Sequence, residues 1–382
     1  MKKIFVSEPV LDSKDLKVVL KSIKTGYVSS VGNNIYIFED EIKKFTKAKF
    51  CVACVNGTSA LQIALKVAGV KKEDEVITPT ITFAATINSI LYNGANPIFM
   101  DCDKYLNLDV RKTLEFLDKE TYSFNKKTYN KKTNKKISAI IVVHMYGKLC
   151  ELTELTKICK KKNIKIVEDA AESIGSFYKK NKIHSGNVGD IGCFSFNGNK
   201  IITSGSGGAI ISKNKKYIDK ARYLINQAKS QGEDYIHNEI GYNFRISNLH
   251  ASLGISQIRK LKKFLKIKKI IYDCYCKKLL FNKNFEIIKN DHVYNSNNWI
   301  NILKIKNKIK RNILLNYLKK NNIEPRPIWY PMHKQRYCKK YQSYKIKKAI
   351  EMHKKCICLP SSVNLSKKDM QKITKLLNNF KI

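Results

Sequence analysis

Residues 192–208 read GCFSFNGNKIITSGSGG. The stretch opens as an apolar strand and then carries a single charge, Lys200, among aromatic residues, small polar residues and glycines. The chain has 73 Lys and Arg, which it scatters over its length. A lone lysine in a glycine-rich loop that follows a strand is therefore the unusual feature. Glycines at 198, 205, 207 and 208 let such a loop approach a ligand closely.

Outward from this stretch the chain alternates short apolar runs with helical patterns. Strands are expected at Cys51–Val55, Glu75–Pro79, Ala95–Met100, Ala139–Val143, Ile164–Val167, Ile191–Phe196 and Ala209–Ser212. Helix-period segments such as Ser59–Val67 and Leu152–Lys161 lie between them. This alternation predicts an α/β unit with a mostly parallel seven-stranded sheet between helices. From about residue 250 the pattern changes. One long basic helix over 246–280 precedes strand signals at Phe285–Ile288 and Trp299–Ile305 and helices near 309–320 and 366–379. The expected division is a large α/β domain over 1–250, with an N-terminal arm, and a small α+β C-terminal domain over 251–382. The polar, lysine-rich segment 122–136 reads as a surface hairpin or loop insertion.

Composition excludes several classes. The formal net charge is +42, but Lys, Asn and Ile rise together along the whole chain. That is a compositional bias, denser at 259–278 and 304–320, and no nucleic-acid partner is expected. No apolar run reaches membrane-spanning length, so no membrane insertion is expected. The start, MKKIFVSEPVLDSKD, has no continuous apolar core, and no secretory signal is read there. Eleven cysteines without a signal point to free thiols in a reducing cytoplasm. The CVAC spacing at 51–54 has no partner pair at zinc-finger distance, so no metal site is expected.

In an open parallel sheet, ligands bind beyond the carboxyl ends of the strands. The residues there carry nearly all the unusual chemistry. Asn56-Gly57-Thr58-Ser59 leads into a helix, where Thr58 and Ser59 are expected to cap and the helix start can receive an anion. Glu168-Asp169 ends a strand with apolar neighbours, and buried carboxylates need a partner. Taken singly, these read as ordinary capping, a salt bridge and a surface lysine. Together they are an anion cradle, a carboxylate for a ring nitrogen and an amine nucleophile, the three handles of pyridoxal 5'-phosphate (PLP).

The sequence then resembles the DegT/DnrJ sugar-nucleotide aminotransferases, which have the type I PLP-dependent aspartate-aminotransferase fold. The resemblance rests on GYVSSVG (26–32), NGTSALQIAL (56–65), TPTITFAAT (78–86), VEDAAES (167–173), GDIGCFSFNGNKIITSGSGG (189–208), GYNFRISNLHASLG (241–254), RPIWYPMH (326–333) and LPSS (359–362). It implies that Lys200 bonds covalently to PLP and that Asp169 pairs with the pyridinium nitrogen. Phe83 would stack on the ring, and Glu172 would lie near the phenolic oxygen. Gly57, Thr58 and Ser195 would hold the phosphate, with Ser59 beside them. Asn243 would reach the cofactor of a neighbouring subunit in a homodimer with shared sites. Arg245, Tyr330 and His333 would line the substrate side.

The implied reaction moves an amino group from L-glutamate to the C4 ketone of a UDP- or GDP-linked 4-keto-6-deoxy-N-acetylhexosamine. The subgroup motifs resemble the bacillosamine and legionaminic-acid pathway enzymes, with perosamine-type synthases as the alternative. A PLP-binding regulator without turnover is the alternative of another class, and Lys200 argues against the dehydratase branch. Two positions depart from the pattern. Ser206 stands where glutamate is common, and Glu172 where Gln or His is frequent.

Overall fold

The computed structural model describes residues 3–230, 232, 234–306 and 310–380. All seven expected strands form: β1 (Phe50–Cys54), β2 (Glu75–Pro79), β3 (Asn96–Met100), β4 (Ile137–Val143), β5 (Lys165–Asp169), β6 (Ile191–Ser195) and β7 (Gly208–Ser212). Their order in the sheet is β1-β7-β6-β5-β4-β2-β3. The pairings from β6 to β3 are parallel, whereas β7 is antiparallel to both β1 and β6. An eighth, two-residue strand, Ser343–Tyr344, joins the far edge beside β3.

The strands are covered on both faces, which is why they read as continuous apolar runs rather than alternating ones. All seven residues of β4 are buried. The antiparallel strand has a direct consequence for the site. Gly208, the first residue of β7, pairs with Cys54 at the end of β1 and Ser195 at the end of β6. The loop from 196 to 207 is therefore confined to the carboxyl edge of the sheet.

The helix Asn248–Lys278 runs for 31 residues from its N-cap Ser247. The boundary expected after residue 250 falls in its first turn. Beyond it, Phe285–Ile287, Asn301–Ile305, Cys356–Leu359 and Arg326–Pro327 form a four-stranded antiparallel sheet, in that order. Helices Arg311–Lys320 and Lys367–Asn378 accompany it. Ile309, the expected start of the first of these helices, lies outside the described residues.

The 122–136 segment is a hairpin of Thr121–Phe124 and Lys127–Asn130. It is tied to β2, since Asn130 and Thr133 donate to the buried Glu75 carboxylate. The eleven cysteines are free thiols, and nine of them are buried. Among the described residues no group of side chains could hold a metal ion, and no helix is long and apolar enough to cross a membrane.

Candidate active site

A cleft of about 430 Å³ opens at the carboxyl edge of the sheet, under the Arg326–Pro327 edge of the second sheet. Gly57, Thr58, Phe83, Asp169, Glu172, Ser195 and Lys200 all line it.

The helix Gly57–Val67 starts at the cleft. Its N-cap is Asn56, whose side chain accepts the Ser59 N–H at 2.8 Å. This corrects the expectation that Thr58 and Ser59 cap the helix. Asn56 has the extended backbone that an N-cap needs, whereas Thr58 and Ser59 already lie within the first turn. The N–H groups of Gly57 and Thr58, without intrahelical acceptors, are thereby left free at the cleft, where a helix start can receive an anion. Ser59 is buried behind them and does not line the cleft. A Cβ added at Gly57 would stand 2.8 Å from Ser195 Cβ, so the strand end and the helix start close into one cradle only because residue 57 is glycine.

Asp169 ends β5 at the foot of the cleft and is buried. Its Oδ2 accepts the Thr86 hydroxyl at 2.7 Å and its Oδ1 the Ala171 N–H at 3.2 Å. Burial raises its pKa against these donors. The adjacent Glu168 has a structural role. It meets His144 Nε2 at 2.7 Å and accepts the N–H groups of Gly186, Val188 and Gly189. Burial opposes its charge, but those partners outweigh it and its pKa is lowered. The strand-end pair thus splits into one carboxylate that anchors the 186–189 loop and one that faces the cleft.

Lys200 Nζ lies 3.4 Å from Glu172 Oε1 and 4.3 Å from the centre of the Trp299 ring. Glu172 Oε2 accepts the Tyr146 N–H at 2.8 Å. Burial pushes the Glu172 carboxyl up to about 7, with Lys200 acting against it. Trp299 is itself fixed. Its Nε1–H donates to Asn199 O, and its carbonyl accepts from the buried Lys268 amine at 2.8 Å. Tyr146 stacks between Trp299 and Trp329, with ring centres 6.1 and 5.0 Å away. Phe83 leans on Trp329 at 5.7 Å and is itself exposed. Ser206 hydroxyl donates to Val55 O at 2.6 Å, tethering the lysine loop to the end of β1.

The remaining candidates stand off the cleft wall. Asn243 is exposed, with its backbone bridged to Asn226. Arg245 donates to Ser30 Oγ at 2.9 Å. Tyr330 packs edge-on against His353, and His333 Nδ1 meets the Thr80 hydroxyl at 2.7 Å. Sequence reasoning missed Tyr146, Trp299, Trp329 and Thr86. Tyr146 and Thr86 follow strands and were within reach of the strand-end rule, but Trp299 reaches the cleft only through the second sheet.

The sequence profile of the DegT/DnrJ/EryC1/StrS aminotransferase family matches residues 9–378. The chain belongs to this family. It is 33% identical over 381 residues to GDP-perosamine synthase of Escherichia coli O157:H7, covering 100% of this chain and 99% of the relative. It is 33% identical over 281 residues to a UDP-4-amino-4,6-dideoxy-N-acetyl-beta-L-altrosamine transaminase of Campylobacter jejuni, covering 73% and 70%. Helicobacter pylori PseC, an aminotransferase of pseudoaminic acid biosynthesis, superposes with a TM-score of 0.88 at 25% identity over 98% of both chains.

Aminotransferases of this family use PLP, and the residues present fit it. A lysine amine and a buried carboxylate face one cleft. A helix start with two free N–H groups closes on a serine hydroxyl at a position where a Cβ would clash. The buried Asn199 Oδ1 on the cleft wall has no hydrogen-bond partner among the described residues.

Proposed function

We propose that this aminotransferase carries an amino group from L-glutamate to the C4 ketone of a nucleotide-linked 4-keto-6-deoxyhexose, in the formation of an amino sugar for a surface polysaccharide or glycan. The convergence of Lys200, Asp169 and the Gly57–Thr58 helix start on one cleft carries this reading. Bound PLP supplies an electron-withdrawing pyridine ring conjugated with the reacting carbon.

The chain's own residues do the rest. Gly57 and Thr58 N–H and the Ser195 hydroxyl hold the phosphate at the helix start. Asp169, oriented by Thr86 and Ala171, holds the proton on the ring nitrogen, and a cation there offsets the burial that raises its pKa. Lys200 Nζ takes and returns the proton at the carbon that bears the amine. Glu172, midway in its titration near neutral pH, receives a hydrogen bond from Lys200 and keeps the amine aimed into the cleft. The Tyr146, Trp299 and Trp329 stack excludes water from one wall.

The two substrates use one site in turn, so the kinetics are ping-pong. A homodimer with shared sites fits the exposed Asn243 and the exposed apolar run of Tyr27, Val28 and Val31.

Two sugar classes compete. The motifs resemble enzymes acting on nucleotide-linked N-acetylhexosamines, while the perosamine synthase relative matches along its whole length and the UDP-sugar altrosamine transaminase over 70% of its own. That coverage favours a GDP-linked 4-keto-6-deoxyhexose. The purified protein, incubated with glutamate and a panel of UDP- and GDP-linked 4-keto sugars, should convert one ketone to an amine by mass spectrometry. Loss of glutamate nitrogen to none of them would refute the reading.

A further inference from the structure

Four charged side chains line the cleft: Asp169, Glu172, Lys200 and Arg326. The first three are engaged with one another or with the chemistry described above. Arg326 has no assigned part. Its guanidinium makes no hydrogen bond or ion pair among the described residues. Glu324, whose carboxylate feels the Arg326 charge, is bound by Lys3 at 2.9 Å. Exposed arginines commonly sit in solvent, but this one is held in place by its backbone. Arg326 pairs with Cys358 and Pro327 with Ile357 in the second sheet. Pro327 fixes its own φ, Ile328 is buried, and Trp329 stacks on Tyr146 at 5.0 Å. The side chain therefore leaves from a rigid edge directly above the cleft that holds Lys200.

Resting on the aminotransferase reading, we propose that Arg326 binds a carboxylate of the amino donor. A dicarboxylic amino acid is small enough to enter the cleft entirely, so its charges must be met there. The diphosphate of a sugar nucleotide is separated from the reacting C4 by the hexose ring and lies further out. A guanidinium fork matches a carboxylate with two parallel hydrogen bonds, whereas an ammonium does not. Among the described residues that line the cleft, Arg326 is the only guanidinium. The same arginine must release a neutral sugar ring in the second half of the cycle, and its exposed position lets it return to solvent.

The test uses a property of this chain. It has two tryptophans, Trp299 and Trp329, and both line the cleft. Tryptophan emission of the PLP-loaded protein should therefore report cleft occupancy without turnover. Glutarate, a dicarboxylate without an amine, is titrated against wild type, Arg326→Gln and Arg326→Lys, with UDP and GDP titrated in parallel. Arg326→Gln should weaken glutarate binding by about tenfold or more. Arg326→Lys should recover part of the affinity, and nucleotide affinity should change less than about twofold. Unchanged glutarate binding in Arg326→Gln overturns the proposal, as does a larger loss for the nucleotides than for glutarate. Failure of the aminotransferase reading itself would show separately, as wild-type protein without PLP absorbance.

Discussion

Lys200 Nζ stands 3.4 Å from Glu172 Oε1, and both groups are recessed in the cleft wall. Glu172 is thus held between an amine on one oxygen and the Tyr146 N–H on the other. Burial still dominates, and its carboxyl is pushed up to about 7. A carboxyl whose folded pKa exceeds its unfolded value binds more protons folded than unfolded between the two values. Stability then falls as pH rises through that window, here from about 4.5 to about 7. Cofactor-free Glu172→Gln lacks this titration. Its stability relative to wild type should improve between pH 5 and pH 8 by about 2 kcal/mol. Denaturant unfolding at the two pH values measures it. A difference that does not vary with pH would show that Glu172 stays ionised.

Lys200→Ala should retain the fold and lose covalent capture of PLP. Borohydride reduction followed by intact mass should show the added cofactor in wild type and none in the variant. Turnover should fall by roughly 10²–10⁴-fold from loss of the proton-transfer group alone. A variant that kept both the adduct and the turnover would require another lysine in the role.

Asp169→Asn should still bind PLP, because the phosphate cradle proposed at Gly57, Thr58 and Ser195 is untouched. Its kcat should drop by at least about 100-fold, since an amide cannot hold a charged ring N–H. Thr86→Val removes the 2.7 Å hydrogen bond to Oδ2 and, with it, the 2.7 Å bond between the Thr86 and Thr82 hydroxyls, while the charge of Asp169 stays. It should cost about 1 kcal/mol of transition-state stabilisation, a several-fold effect. Equal losses in the two variants would mean that orientation of the carboxylate matters as much as its charge.

The sheet was legible because strands buried on both faces must be apolar throughout, and short runs such as Ala139–Val143 show it. Ser343–Tyr344 and Arg326–Pro327 were not, since two residues carry no period. That Lys200, Asp169 and Gly57 line one cleft was legible because loops that follow neighbouring strands gather at one edge of the sheet. The capping was misread because Asn, Thr and Ser all cap well, and only the backbone angles choose Asn56. Trp299 was hidden for another reason. Its contact with Lys200 spans about a hundred residues and depends on Lys268 holding its carbonyl. No local pattern encodes that.

Trp299→Leu should therefore separate packing from charge. The indole face at 4.3 Å attracts the Lys200 ammonium, an interaction of about 0.5–2 kcal/mol at such sites. Trp299→Phe keeps a weaker ring and should retain most activity. Trp299→Leu should lower kcat several-fold further while leaving glutarate affinity near that of the wild type. A fall in affinity without a fall in kcat would place Trp299 in substrate binding instead.

Gly57→Ala sets two effects against each other. Gly57 opens a helix and has no left-handed backbone, so alanine fits its φ and ψ and improves helix propensity by about 1 kcal/mol. The new Cβ, however, would lie 2.8 Å from Ser195 Cβ, and something must shift. Ser195 sits in β6 with a buried strand on either side, and the helix start is pinned by Asn56. The cradle itself must widen. Overpacking of this kind costs about 1–3 kcal/mol, so the net loss of stability should be small. Phosphate binding depends on the narrow cradle, and PLP affinity should fall by about tenfold or more. Equilibrium dialysis of PLP against wild type and Gly57→Ala measures this. The double variant Gly57→Ala with Ser195→Gly relieves the clash but loses the serine hydroxyl. It should regain stability without regaining affinity. Recovery of both would mean that the hydroxyl contributes nothing to the phosphate site.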